Sequence, residues 1–195
     1  VRVQAGPDPR RVVVLEGIGP VRFEKSRRAR RVSLSLRASR GVRVAVPWRV
    51  SFNEARRFVV AKRDWILRTC GRIERARECC REAVVAAGRL DRRAARAQLA
   101  GRLAELAAEH GFVCGRLSVR SQGTVWGSAS PRGRIQLNAR LACLPSDLAD
   151  YVIVHELVHT VVRGHGRAFW RELERHMPDA RRRQKRLREY SLALF

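Results

Sequence analysis

The stretch Tyr151 to His165, YVIVHELVHTVVRGH, decides how the rest of the chain is read. With Leu148 upstream, its apolar residues Tyr151, Val152, Ile153, Val154, Leu157, Val158, Val161 and Val162 leave no wet face on the helix that Pro145-Ser146-Asp147 starts. A helix that is apolar all round is a buried helix. Yet its middle carries His155, Glu156 and His159, polar groups that are costly in a core unless something satisfies them. At about 3.6 residues per turn, His155 and His159 leave the same side of the helix one turn apart and can share one ion. Glu156 stands beside the first histidine, where its carboxylate reaches a metal-bound water without entering the coordination sphere. That is the place of the general base in a His-Glu-x-x-His hydrolase.

Beyond this run, Gly164 can take a positive φ and reverse the chain, which makes His165 the natural third ligand. Three neutral imidazoles leave a fourth tetrahedral position open, the arrangement of a catalytic rather than a structural zinc ion. Glu172 or Glu174, on the helix predicted over Arg167 to His176, is the alternative third ligand, and ordinary hydrogen-bonded histidines are the alternative to a metal site altogether. His176 reads as a structural histidine or as a stabiliser of an oxyanion. Met177, just before Pro178, reads as a helix exit rather than a turn beneath the metal. Trp126-Gly127-Ser128 falls in a hairpin expected near the cleft. A strand there can pair with an extended substrate, and Trp126 either walls the cleft or packs in the core.

Working outward, the N-terminal part has a β pattern. Val12 to Leu15 and Val21 to Glu24 flank the turn-forming Gly17-Ile18-Gly19-Pro20, and Val32, Leu34, Leu36 and then Val42, Val44, Val46 alternate about Arg40-Gly41. These predict two hairpins in one small antiparallel sheet. Ser51 with Glu54 three residues on has capping-box spacing and opens a helix through Phe58 and Trp65 towards Cys70. Residues 71–90 read as a helical connector. Asp91 to His110 is a stronger helix, because Ala95, Leu99, Leu103 and Leu106 share one face and Gly111 supplies the stop. Leu117 and Val119 then read as a strand, and Thr124 to Ser128 with Arg134 to Asn138 as a hairpin about Ser130-Pro131-Arg132-Gly133. The class is therefore α+β. Residues 1–70 form a sheet-plus-helix subdomain, 71–90 the connector, and 91–195 a helix and sheet unit around the metal helix.

The chain has 195 residues, 45% hydrophobic and 31% charged, which is apolar enough to close a core despite its formal net charge of +24. A bilayer crossing needs roughly 18 apolar residues, and the best candidate, Tyr151 to Val162, is interrupted by His155, Glu156 and His159, so no membrane span is expected. No secretion signal is visible in Val1 to Arg10, and the five cysteines lack a Cys-x-x-Cys pair, so reduced thiols and a cytoplasmic location are expected. Lys25, Lys62 and Lys185 are the lysines, so arginine carries nearly all the positive charge. Arg27, Arg28, Arg30 and Arg31 form one cluster, Arg92, Arg93 and Arg96 a second, and the run from Arg181 to Arg188 a third. Such a surface attracts polyanions, which admits nucleic acid as a partner, although no aromatic and basic stacking platform accompanies the clusters.

Over Val152 to Asp179, VIVHELVHTVVRGHGRAFWRELERHMPD, the chain resembles the YgjP-like metallopeptidase-domain family, which is related to the WLM and SprT-like zincins. RRARRVSLSLRASRGVRVAVP at Arg27 to Pro47, the stretch Ser51 to Ile66, and TVWGSASPRGRIQLNARL at Thr124 to Leu141 follow the same pattern. The resemblance implies a zincin-like fold, Zn²⁺ held by His155, His159 and His165, and Glu156 as the catalytic glutamate. Ala129 stands where relatives commonly have Cys, and Gly166 where Ser usually follows the third His. It implies amide-bond hydrolysis of peptide or protein substrates. Two other activities come with the family and its relatives: metal-dependent hydrolysis of nucleoside triphosphates such as UTP, and proteolysis tethered to DNA.

Overall fold

In the computed structural model, which describes residues 10–130 and 132–195, a turn through Gly17 and Gly19 closes β1 (Arg10–Leu15) onto β2 (Gly19–Ser26). Both glycines sit at positive φ, 68° and 86°, where a side chain would be strained. Val1 to Pro9, the bulk of the stretch read for a secretion signal, and Pro131 of the second predicted turn lie outside the described residues. β3 (Ser33–Arg37) and β4 (Gly41–Pro47) form the other expected hairpin.

The sheet order is β1-β2-β4-β3, and β2 runs parallel to β4, with Val21 opposite Val42 and Phe23 opposite Val44. The expected antiparallel sheet is thus corrected to a mixed one. Val21, Phe23, Val42, Val44 and Val46 are all buried, whereas Val12 and Val14 on β1 are 66% and 75% exposed. Placing the two most apolar strands at the centre sends the chain past β4 before β3 begins.

The helix opened by Ser51 is α1 (Phe52–Ala61), and its capping box forms as the spacing requires. Ser51 Oγ accepts from the Glu54 amide at 3.1 Å, and Glu54 Oε2 accepts from the Ser51 amide at 2.9 Å. One continuous helix towards Cys70 is not what forms: Lys62 leaves helical backbone, and α2 (Arg63–Cys79) begins anew and runs further than expected. Neither proline nor glycine marks that break. Ala55, Val59 and Ile66 nevertheless all pack onto the buried face of the sheet.

The chain divides into two units between Ala76 and Arg77, inside α2. In the second unit, α3 (Arg81–Gly88) buries Cys80 and Ala83, and packs on α7 (Ala180–Leu194) and the 3-10 turn Ala139–Cys143. α4 (Arg92–His110) is capped by the Asp91 carboxylate, which accepts from the Arg93 amide at 2.8 Å, and ends at Gly111 with φ 71°. Its buried face is the predicted one, Ala95, Leu99, Leu103 and Leu106, and it packs against α5 (Ser146–Val158). Arg102 fixes that packing with a two-pronged bond to Asp150, Nε to Oδ1 at 2.8 Å and Nη2 to Oδ2 at 2.9 Å.

β5 (Leu117–Arg120) pairs parallel with β7 (Ile135–Asn138), and β6 (Gly127–Ala129) pairs antiparallel with it, giving the order β5-β7-β6. The edge strand β6 lies against α5. α6 (Arg167–His176) has the predicted limits. The sequence reading offers only a basic cluster where α7 forms. Its arginines face outward or pair with acids, while Leu187, Ala193 and Leu194 are buried. The class is α+β as expected. No helix among the described residues is long and apolar enough to cross a membrane.

Candidate metal centre

α5 ends at Val158, four residues before the apolar run does. His159 is its C-cap, with its amide still bonded to the His155 carbonyl at 3.3 Å, and residues 160–162 continue as a turn. Gly164 then adopts φ 72°, as the reversal demands, and presents His165 back towards the helix. The three imidazoles meet. Nε2 of His155 lies 3.1 Å from that of His165 and 3.2 Å from that of His159, and His159 and His165 are 3.1 Å apart by the same atoms.

Hydrogen bonding alone does not explain this triangle. Each neutral Nε2 offers either a proton or a lone pair, so among three such atoms at least two offer the same thing and repel. A cation at the centre removes the conflict. Tetrahedral zinc with bonds of about 2.0–2.1 Å sets its nitrogen ligands roughly 3.3 Å apart, close to the spacing seen here, so the donor set fits the ion. His159 Nδ1 lies 3.2 Å from the Val162 carbonyl, which only accepts; the proton is therefore on Nδ1, and Nε2 keeps its lone pair for a metal. His155 Nδ1 is buried with no hydrogen-bond partner among the described residues.

Burial first, then the adjoining His159 and His165, lowers the His155 imidazole to about 3, and burial likewise lowers His159. Both are thereby held in the neutral form that ligates. Phe169 of α6 lies beneath all three rings: it stacks on His159 at 4.5 Å and 24°, and meets His155 and His165 edge to face at 4.8 Å each. Phe169 is fully buried. The sequence reading missed it, although its place four residues after His165 on an amphipathic helix was a usable signal.

Glu156 is 5% exposed, and burial, with nothing opposing it, pushes its carboxyl up to about 7. It lines a cavity of about 420 Å³ together with the three histidines, Gly127, Ser128, Ala129, Arg163 and Gly164. So β6 contributes its free edge to the cavity that holds the imidazoles and the carboxylate. Asn138 holds that strand in place. Fully buried, it donates through Nδ2 to the carbonyls of Gln122 at 2.9 Å and Val125 at 2.8 Å, while Oδ1 accepts from the Arg140 amide at 3.1 Å. The loop before β6 is thus tied to the end of β7. Asn138 read only as the last residue of a strand.

Of the other candidates, Gly127 and Ser128 line the cavity and Trp126 does not. Trp126 is buried, donates through Nε1 to Ser191 Oγ at 2.7 Å, and packs on Phe195 at 4.6 Å. It packs in the core and at the same time walls an adjoining cavity. Glu172 bonds His176 at 3.1 Å, and Glu174 pairs with Arg181 at 2.8 Å, so neither carboxylate joins the three imidazoles. His176 sits away from the cluster, packed on His110 and Phe112, and Met177 is the buried C-cap of α6.

A buried helix that brings imidazoles and a carboxylate to the edge of a small sheet defines a metal-dependent hydrolase architecture, and comparison with known proteins agrees. The model of the family described as YgjP-like, metallopeptidase domain, matches residues 81–190, more than half of the chain, and the chain belongs to that family. It is accordingly a hydrolase of metallopeptidase type. Among solved structures, the metallopeptidase zymogen abylysin of Pyrococcus abyssi aligns with 46% of this chain and 90% of its own, at 23% identity and a TM-score of 0.42. No curated protein matches.

Proposed function

We propose that the chain is a zinc-dependent metallopeptidase that hydrolyses amide bonds, with His155, His159 and His165 as metal ligands and Glu156 as catalytic base. One observation carries this reading: three Nε2 atoms within 3.2 Å of one another open into the same cavity as a buried carboxylate and a free strand edge. Zinc, when bound, supplies a Lewis acid for the scissile carbonyl and makes water more acidic. The protein's own residues do the rest. The edge of β6 offers backbone groups to an extended peptide, which sets its carbonyl before Glu156. Glu156, raised towards neutral pH, accepts a proton from the attacking water and returns it to the departing amine nitrogen.

Replacing Glu156 by Gln is expected to keep the metal and abolish peptide turnover, whereas His159→Ala loses the metal. Metal analysis of each variant beside a peptide assay checks both, and an active, zinc-loaded Glu156→Gln protein overturns the role given to Glu156. Nucleoside triphosphates such as UTP are the second reading, favoured by Arg163 in the cavity wall. It ranks below the first because a strand edge offers a nucleotide nothing that it offers a peptide. Protein cleavage guided by nucleic acid is third: part of the third basic cluster is already taken up by acids, Arg181 by Glu174, Arg183 by Asp179 and Arg186 by Asp147. Five free thiols suit a reducing compartment and support a cytoplasmic location.

A further inference from the structure

A second cavity, about 280 Å³, adjoins the first. The two share Gly127, His155 and Glu156 in their walls. Along the chain that forms the cleft edge, Val125, Trp126 and Gly127 line the second cavity, and Gly127, Ser128 and Ala129 the first. The cavities therefore follow one another along this edge, with Gly127 and Glu156 at their junction. Strand residues rise about 3.3 Å each, so an extended peptide of four or five residues laid along this edge passes through both.

Each cavity has one arginine in its wall, Arg163 in the first and Arg188 in the second, and Glu156 is the only carboxylate in either wall. Neighbouring arginines on α7 spend their charge on acids, as the pairs of Arg181, Arg183 and Arg186 show. No carboxylate pairs with Arg163 or Arg188 among the described residues, so both guanidinium groups are available to a ligand. Arg188 also acts on the interior of its cavity: with Arg181 it offsets part of the burial that pushes the Tyr151 hydroxyl up to about 12.

Building on the metallopeptidase reading, we propose that Arg163 and Arg188 are specificity-determining residues that select an extended substrate with acidic side chains on both sides of the bond to be cut. Guanidinium to carboxylate contacts on the two sides of Glu156 centre the scissile bond on the junction, so charge chooses the sequence and register chooses the bond.

The test uses full-length Glu156→Gln protein, loaded with zinc, and two fluorescein-labelled peptides of equal length that carry Glu or Gln at the positions flanking the central bond. Anisotropy in about 0.15 M salt, where long-range attraction is screened, is expected to give about ten-fold tighter binding of the Glu peptide. Arg163→Glu and Arg188→Glu should each erase most of that preference, and the double variant should prefer a Lys peptide, a gain that an unfolded protein cannot show. Arg92→Glu, which changes net charge equally at an exposed position in the first turn of α4, should leave the ratio intact. Equal binding of the Glu and Gln peptides overturns the proposal, as does loss of the preference in Arg92→Glu. Failure of the metallopeptidase reading is seen separately, as absence of cleavage of any of these peptides by zinc-loaded wild-type protein.

Discussion

Gly127 and Glu156 occupy adjoining space that no side chain at position 127 could share: a Cβ built there falls 2.7 Å from Glu156 Oε1, 2.8 Å from Cγ and 3.0 Å from Cδ. The glycine is needed for this close approach, since its backbone belongs to an ordinary strand. Gly127→Ala must therefore push either the edge strand or the carboxylate aside. A displacement of about 1 Å at a reacting group costs on the order of 10²-fold in rate. The variant is expected to lose about that much in kcat/KM and about 1–3 kcal/mol of stability through overpacking. Zinc content should stay at the wild-type level, because the three atoms nearest a Cβ at position 127 all belong to Glu156 and none to a histidine. Wild-type kcat/KM in Gly127→Ala would show that the contact has no catalytic weight.

Phe169 supports the imidazoles as a group, so its loss should be felt in metal affinity before it is felt in the peptide-binding edge. Leucine at this position keeps much of the apolar burial but removes the flat surface on which His159 stacks. Changes to groups that orient metal ligands typically cost 10–100-fold in affinity, and Phe169→Leu is expected to weaken zinc binding by about that factor. Competition with a chromophoric chelator measures it. The stability cost should stay below the roughly 3–5 kcal/mol expected of Phe169→Ala.

Bringing three imidazoles within 3.2 Å of one another without a cation is unfavourable, so metal and fold should be thermodynamically linked. Zinc at 100 times its dissociation constant should add about 2.7 kcal/mol to the unfolding free energy. Chelation should lower the melting temperature, and re-addition of zinc should restore it. His159→Ala should melt at one temperature with or without zinc. A wild-type protein whose melting temperature ignores both chelator and zinc would argue that the histidines hold no ion.

How much of this could be read from the chain depends on how local the signal was. Helix α4 and its buried face, the capping box at Ser51, the reversal at Gly164 and the limits of α6 all rest on residues within a few positions of one another. The convergence of His155, His159 and His165 was legible for the same reason, since one turn of helix and one glycine bring them together. The parallel pairing of β2 with β4 was not, because competition among strands for the centre of a sheet is decided by the whole set. Nor was α7, whose arginines hide an apolar stripe that needs α5 to give it meaning. Phe169 and Asn138 escaped notice because what they do is hold other residues, which a residue's own type does not announce.

Asn138 offers the sharpest separation between a supporting and a reacting residue. Its side chain makes three hydrogen bonds to backbone groups of Gln122, Val125 and Arg140, and its own amide bonds the Trp126 carbonyl at 2.7 Å. Asn138→Ala removes the three side-chain bonds and leaves their partners without them. An unmet buried group costs about 1–3 kcal/mol, so a loss of at least about 2 kcal/mol is expected in urea unfolding. The freed loop delivers β6, so KM for an extended peptide should rise while zinc affinity stays unchanged. Asn138→Asp separates the contributions: it keeps the acceptor for Arg140 but turns the donor pair into a second acceptor facing two carbonyls. It should therefore be no more stable than the alanine variant. An aspartate variant as stable as wild type would mean that the Gln122 and Val125 carbonyls do not depend on this side chain.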